Sequence, residues 1–176
     1  EEGKKQVISC FKAANSTILS HVEKNPSLSG MGCTAELLTL WQDMFLLGHV
    51  GDSRTYWFDD GELKQLTRDH SLVQDQVDKG VMTERQAGKS KLKNVLLRAV
   101  GVKTHLDVDL IFGKIIPGSI FLLCTDGLYN MIGKNQMLPV LAYDAPLALK
   151  CEMLVDMAND AGGRDNISVT LVEILK

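Results

Sequence analysis

The chain has 176 residues, 45% of them apolar, with 19 Lys and Arg against 22 Asp and Glu and a formal net charge of −3 at pH 7. That length suits one domain with its own core. The basic residues are scattered without a stripe or aromatic platform, which argues against a nucleic-acid surface, and the apolar runs are too short and broken to span a bilayer.

The first residues are acidic and lysine-rich and do not read as a signal peptide. Cys10, Cys33, Cys124 and Cys151 are widely and irregularly spaced, with no Cys-x-x-Cys pair. They read as reduced thiols of a cytoplasmic protein rather than as zinc ligands or disulfides.

In chain order, residues 4–24 carry Val7, Ile8, Phe11, Ala14, Ile18, Leu19 and Val22 at three- and four-residue steps, which predicts a helix. Asn25-Pro26 ends it, and a glycine-rich loop follows over 27–32. Strands are predicted at 34–41 and 44–50 around a Gln42-Asp43 turn. Two more fall at 54–58 and 62–66 around Asp59-Asp60-Gly61, a stronger hairpin signal. Residues 34–66 therefore read as a four-stranded meander. A short amphipathic helix over 71–79 precedes Thr83-Glu84-Arg85-Gln86, a capping box that opens a second short helix. Residues 88–94 form a basic loop. Strands are predicted at 106–116 and 119–125, helices at 134–142 and 146–160, and a last strand at 166–174. Hairpins dominate and no βαβ alternation occurs, so the fold class is α+β.

Three aspartates stand at strand-to-loop junctions beside glycines: Asp52 next to Gly51, Asp126 next to Gly127, and Asp165 two residues after Gly163. Glycine lets backbone approach a ligand closely. Carboxylates gathered from separate segments repel unless a cation such as Mg²⁺ or Mn²⁺ holds them together. Turn aspartates bonding their own backbone account for each residue nearly as well when it is taken singly, so spacing alone leaves both readings open. Similarly, His49 and His70 read as a strand residue and a loop or cap residue rather than as catalytic acids. His21, Lys89, Lys91 and Lys93 read as solvated, and Met31, Trp41 and Trp57 as packing residues.

Six strings occur in order along the chain: Gly30-Met31-Gly32-Cys33-Thr34, the segment 48–56 containing Gly51-Asp52-Ser53-Arg54, Leu66-Thr67-Arg68-Asp69-His70-Ser71, Asn94-Val95-Leu96-Leu97-Arg98-Ala99-Val100-Gly101, Thr125-Asp126-Gly127-Leu128 and Gly163-Arg164-Asp165-Asn166-Ile167-Ser168. In order and spacing they resemble the PP2C-type (PPM) metal-dependent protein phosphatases, bacterial members in particular, over residues 10–174. The resemblance implies a β-sandwich flanked by helices on both faces. It implies hydrolysis of phosphoserine and phosphothreonine in proteins, with two Mn²⁺ or Mg²⁺ ions that bind phosphate and activate the attacking water. Asp126 and Asp165 match core metal ligands, and Asp52 matches the ligand that, with the Asp126 equivalent, can hold a third, weaker ion. Asn166 and Gly127 match residues that support the ligands from behind, and Arg54 matches a structural anchor. The implied partners are phosphoprotein substrates and a cognate Ser/Thr kinase. Residues 80–87 resemble a flap-like segment, inside an insertion spanning about 71–103.

Two further family motifs are not found in these residues: an Arg-bearing segment ending in Asn-Glu-Asp, which supplies the phosphate-binding arginine, and Asp-Gly-Met/His-Gly-Gly, whose Asp bridges both ions. Ser29, not Asp, precedes Gly30-Met31-Gly32. No catalytic side chain beyond the metal ligands is assigned. The expectation is a single PP2C-like domain over 1–176, incomplete at its N-terminus, with little activity and weak metal binding when isolated. A portion of a longer phosphatase is the favoured origin. The alternatives are a catalytically inactive pseudophosphatase that binds phosphoproteins or a kinase, and a sheet completed by another chain.

Overall fold

The computed structural model describes residues 1–175. They form six α-helices, α1 (Glu2–Lys24), α2 (Leu72–Asp78), α3 (Glu84–Ala87), α4 (Asp126–Tyr129), α5 (Lys134–Ala142) and α6 (Leu147–Asp160). Seven strands accompany them: β1 (Ala35–Trp41), β2 (Met44–Val50), β3 (Arg54–Asp59), β4 (Glu62–Gln65), β5 (Asp109–Lys114), β6 (Ile120–Cys124) and β7 (Val169–Glu173). The chain divides into two compact units, one made of 1–52 and 68–113, the other of 53–67 and 114–176.

The first unit holds a three-stranded sheet in the order β1-β2-β5, with α1 packed on β2. Val7, Phe11 and Asn15 lie four residues apart on α1 and are its buried stripe. Val7 and Phe11 join Val50, Val100 and Leu106 in a core, each such side chain contributing about 1.5–3 kcal/mol on burial. Asn15, only 2% exposed, is satisfied on both sides. Its Oδ1 accepts the Gly101 N–H at 2.7 Å and its Nδ2 donates to the Lys103 carbonyl at 2.9 Å. A buried amide with both ends bonded ties α1 to the 101–103 turn without leaving an orphan polar group.

The second unit holds a four-stranded sheet in the order β4-β3-β6-β7, whose pairs β3–β4, β3–β6 and β6–β7 are antiparallel. β6 is central and apolar along its length, as a strand covered on both faces must be. Its core runs through Tyr56, Leu122, Leu128, Met137, Leu141 and Leu154, with α5 and α6 supplying the last three.

Both hairpins form where turn chemistry places them, with Gln42 at φ 52° and Asp60 at φ 46°. The single meander over 34–66 does not. β1 and β2 pair with one another, β3 turns to β6, and the two hairpins sit in different sheets. The break is at Gly51-Asp52-Ser53, where Gly51 takes φ +119° and a Cβ would fall 2.3 Å from Thr34 Cγ2. That backbone state is open to glycine and strained for other residues. The Thr83–Gln86 capping box is present as predicted. α4 is an element that periodicity over four residues cannot reveal. Trp41 is a further correction: it is 75% exposed, because it is the last residue of β1 before the tight turn. Trp57, by contrast, stacks on Phe121.

Candidate metal centre

The register of the second sheet brings two of the predicted carboxylates to adjoining turns. Cys124, last in β6, pairs with Val169, first in β7. The residues one step beyond that rung must therefore meet. Thr125 N–H donates to the Ser168 carbonyl at 3.2 Å, and Ser168 N–H donates to Thr125 Oγ1 at 3.0 Å. The same hydroxyl donates to the Asn166 carbonyl at 3.2 Å. Asp126 follows Thr125 as the first residue of α4, and Asp165 precedes Asn166.

Gly127 sits at the closest approach of the two turns. A Cβ there would lie 2.2 Å from the Asn166 carbonyl oxygen, a distance no side chain tolerates. The turns fit together because residue 127 has no side chain.

Each carboxylate is held from its own turn. Asn130, one helical turn beyond Asp126, donates through Nδ2 to Asp126 Oδ2 at 3.2 Å. The Asn166 backbone N–H donates to Asp165 Oδ1 at 2.8 Å. Asn166 therefore orients Asp165 through its backbone, and its carbonyl ties the two turns together. Arg54 reaches α4 from β3. Its guanidinium lies 3.7 Å from the Tyr129 ring centroid and donates to the Tyr56 hydroxyl at 3.3 Å. That contact anchors the short helix that starts at Asp126.

Asp52 lies in the first unit, in the turn that ends β2. That turn is bound on both sides by His70: His70 N–H donates to the Gly51 carbonyl at 2.7 Å, and Gly51 N–H donates to His70 Nδ1 at 3.1 Å. His70 Nε2 lies 3.2 Å from Asp109 Oδ2, an ion-pair contact rather than an aligned hydrogen bond. Arg98 donates to Asp109 Oδ1 at 2.6 Å. The His49 ring stands 4.6 Å from that of His70, centroid to centroid. His49 is fully buried, its Nδ1 against the Glu36 carboxylate and its Nε2 3.0 Å from the Arg68 carbonyl.

Opposite influences act on the two imidazoles. Burial is the largest on His49 and lowers its pKa, but the Glu36 hydrogen bond and charge, the Arg68 carbonyl and Asp109 together raise it above the ordinary histidine value. Burial also dominates at His70, and with the charges of His49 and Arg98 it lowers the pKa despite Asp109. Asp109 is pushed up by burial, yet Arg98 and His70 bring it below the usual carboxylate range.

A histidine with a raised folded pKa stabilises the fold fully below its unfolded value, and that stabilisation is lost as pH rises through the folded value. Glu36→Gln removes the main raising influence on His49. We expect it to lower stability by about 1–3 kcal/mol at pH 6 and by less at pH 9, measured by urea denaturation. An equal or larger loss at pH 9 would contradict the pairing. The sequence showed these histidines as isolated residues. Their network joins β1, β2, β5 and two loops, and no local pattern marks it.

Two carboxylate oxygen sets on adjoining turns fit part of a hard-cation site for Mn²⁺ or Mg²⁺, which take oxygen donors. Among the described residues, no three His, Cys, Asp or Glu side chains converge on one point. All four cysteines are free thiols. Among the described residues no helix is long and apolar enough to cross a membrane.

Comparison with known proteins identifies the family. Residues 1–76 match the family model described as protein phosphatase 2C. The serine/threonine phosphatase stp of Listeria monocytogenes is 36% identical over 163 residues, covering 93% of this chain and 65% of that protein. The solved serine/threonine phosphatase of S. agalactiae superposes with a TM-score of 0.93 at 32% identity, covering 98% of this chain and 71% of that one. The chain belongs to the PP2C (PPM) family of protein phosphatases. It has the α+β fold of those PP2C structures, and it spans just under two-thirds of the length of the Listeria relative. A second solved structure, the catalytic domain of serine/threonine protein phosphatase PstP, is in complex with two manganese ions. Its TM-score is 0.85 at 32% identity, covering 94% of this chain and 68% of that one.

Proposed function

We propose that this PP2C chain serves the Mn²⁺- or Mg²⁺-dependent hydrolysis of phosphoserine and phosphothreonine in proteins, as one phosphatase domain in which residues 71–103 form a flap-like insertion. The observation that carries the reading is the junction of the Asp126 and Asp165 turns through Thr125, Gly127 and Asn166. Asp126 and Asp165 are the core ligands, and Asp52 is a ligand of a further, weaker ion. When bound, such ions neutralise phosphoryl charge and activate water for attack on phosphorus.

The protein's own part is to present the carboxylates in fixed orientation. Asn130 holds Asp126 Oδ2 and the Asn166 N–H holds Asp165 Oδ1, which sets the direction of each carboxylate. Arg54 and Tyr129 keep α4 from rotating Asp126 away. The substrates are phosphoproteins and the functional partner is a Ser/Thr kinase. Free thiols throughout fit a cytoplasmic setting.

The test is phosphate release from a phosphothreonine peptide by the full-length gene product. We expect release that requires Mn²⁺ and stops with EDTA. No release above background, with or without EDTA, would replace this reading with that of an inactive module that binds phosphoproteins.

A further inference from the structure

We propose that His70 is a positioning residue: an uncharged imidazole whose Nδ1 lone pair accepts the Gly51 N–H, holding the turn that presents Asp52 to its cation. The proposal rests on the reading of Asp52 as a ligand. It adds a residue that touches neither metal nor substrate and acts through the backbone next to the ligand.

Gly51 N–H can only donate, so a nitrogen 3.1 Å away must offer a lone pair. Nδ1 of His70 is therefore without a proton, and the ring's single proton is on Nε2, facing Asp109 Oδ2 at 3.2 Å. The His70 backbone N–H holds the Gly51 carbonyl at 2.7 Å, so Gly51 is gripped at both its polar groups. The Leu97 N–H in turn donates to the His70 carbonyl at 2.7 Å, which fixes the clamp to the 94–100 segment.

His49 enforces the uncharged form. Both of its nitrogens face oxygens, the Glu36 carboxylate and the Arg68 carbonyl, an arrangement that favours a proton on each. A positive ring 4.6 Å away opposes a second proton on His70, as does Arg98. Asp109 favours it, but the charge of Asp109 is shared with Arg98. A proton on Nδ1 would turn the acceptor into a donor aimed at the Gly51 N–H. The side-chain half of the grip would be lost, and only the His70 N–H bond to the Gly51 carbonyl would remain.

The experiment is NMR on ¹⁵N-labelled full-length protein. At neutral pH the two-bond ¹H–¹⁵N spectrum of wild type should show His70 Nδ1 unprotonated and His49 doubly protonated. His70→Asn keeps an oxygen acceptor near the Nδ1 position and cannot take up the extra proton, whereas His70→Gln places its polar atoms at the Nε2 position. Hydrogen-exchange protection of the Gly51 amide should fall about tenfold in His70→Gln and stay within about threefold of wild type in His70→Asn. Paramagnetic broadening by Mn²⁺ around residue 52 should weaken in His70→Gln and persist in His70→Asn. A proton on His70 Nδ1 in wild type, which needs no variant to observe, would overturn the proposal, as would unchanged Gly51 protection in His70→Gln. Asp52→Ala separates the two readings. If Asp52→Ala broadens as wild type does, the ligand reading fails while the His70–Gly51 clamp stands. If it loses broadening while His70 Nδ1 carries a proton, the clamp fails while the ligand reading stands.

Discussion

Replacing Asp126 by alanine in the full-length gene product is expected to lower Mn²⁺-dependent turnover by at least about 100-fold, because a ligand-bound cation supplies several kcal/mol of transition-state stabilisation. The loss is expected at saturating substrate and should recover little when Mn²⁺ is raised. Asp126, half-buried at the start of a four-residue helix, accepts from Asn130 Nδ2. Asp126→Asn, close in shape and still able to accept from Asn130, should lose turnover, and a urea midpoint near wild type would separate lost ligation from lost folding. Asp165 differs. Its Oδ1 also accepts the Asn166 N–H, so Asp165→Ala should lose turnover and, in addition, about 1 kcal/mol of stability. Asp52→Ala should lower the rate without abolishing it. Near-normal turnover in Asp126→Ala would contradict the ligand assignment.

Gly127→Ala is expected to damage the same centre without touching a carboxylate. The added carbon would lie 2.2 Å from the Asn166 carbonyl oxygen and 2.9 Å from its carbonyl carbon. Both are backbone atoms, and a rotamer change cannot relieve the clash. The α4 turn must move away from residues 165–168, and the hydrogen bonds of Thr125 to Asn166 and Ser168 stretch or break. Overpacking of this kind costs about 1–3 kcal/mol, read as a fall in the denaturation midpoint. Turnover should fall further than stability alone explains, because the displacement separates the two carboxylates. Wild-type stability and turnover in Gly127→Ala would show that the turns are not locked to one another there.

What the sequence made legible follows from how local the determinants are. The α1 stripe of Val7 and Phe11, the Gln42 and Asp60 turns and the Thr83–Gln86 capping box depend on neighbours within a few residues, and all appear as read. The meander failed because pairing of β3 with β6 is decided by the packing of a distant apolar strand. Gly51 marked the break between β2 and β3, but not that the chain changes sheets there. Helix α4 is too short for periodicity to show, so Asp126 read as a strand-end residue. With α4 unseen, Asn130, four residues on and on the same helical face, was missed. The signal was the Asp-x-x-x-Asn spacing, meaningful only once a helix is assigned. The Asp126 and Asp165 positions were visible from their glycine-flanked turns and the ordered motifs. Their junction was not, since it follows from the Cys124–Val169 rung. The histidine pair was hidden for a similar reason: His49 and His70 meet only in the folded unit, and each alone looks like an ordinary strand or loop residue.

The central claim is that the Asp126 and Asp165 turns together form a cation site. Its most direct test is titration calorimetry of Mn²⁺ into the full-length product, comparing wild type with the Asp126→Asn, Asp165→Asn double variant. The tightest Mn²⁺ binding of wild type is expected to be absent from the double variant, while both proteins unfold cooperatively in urea. Unchanged Mn²⁺ affinity and stoichiometry in the double variant would contradict it.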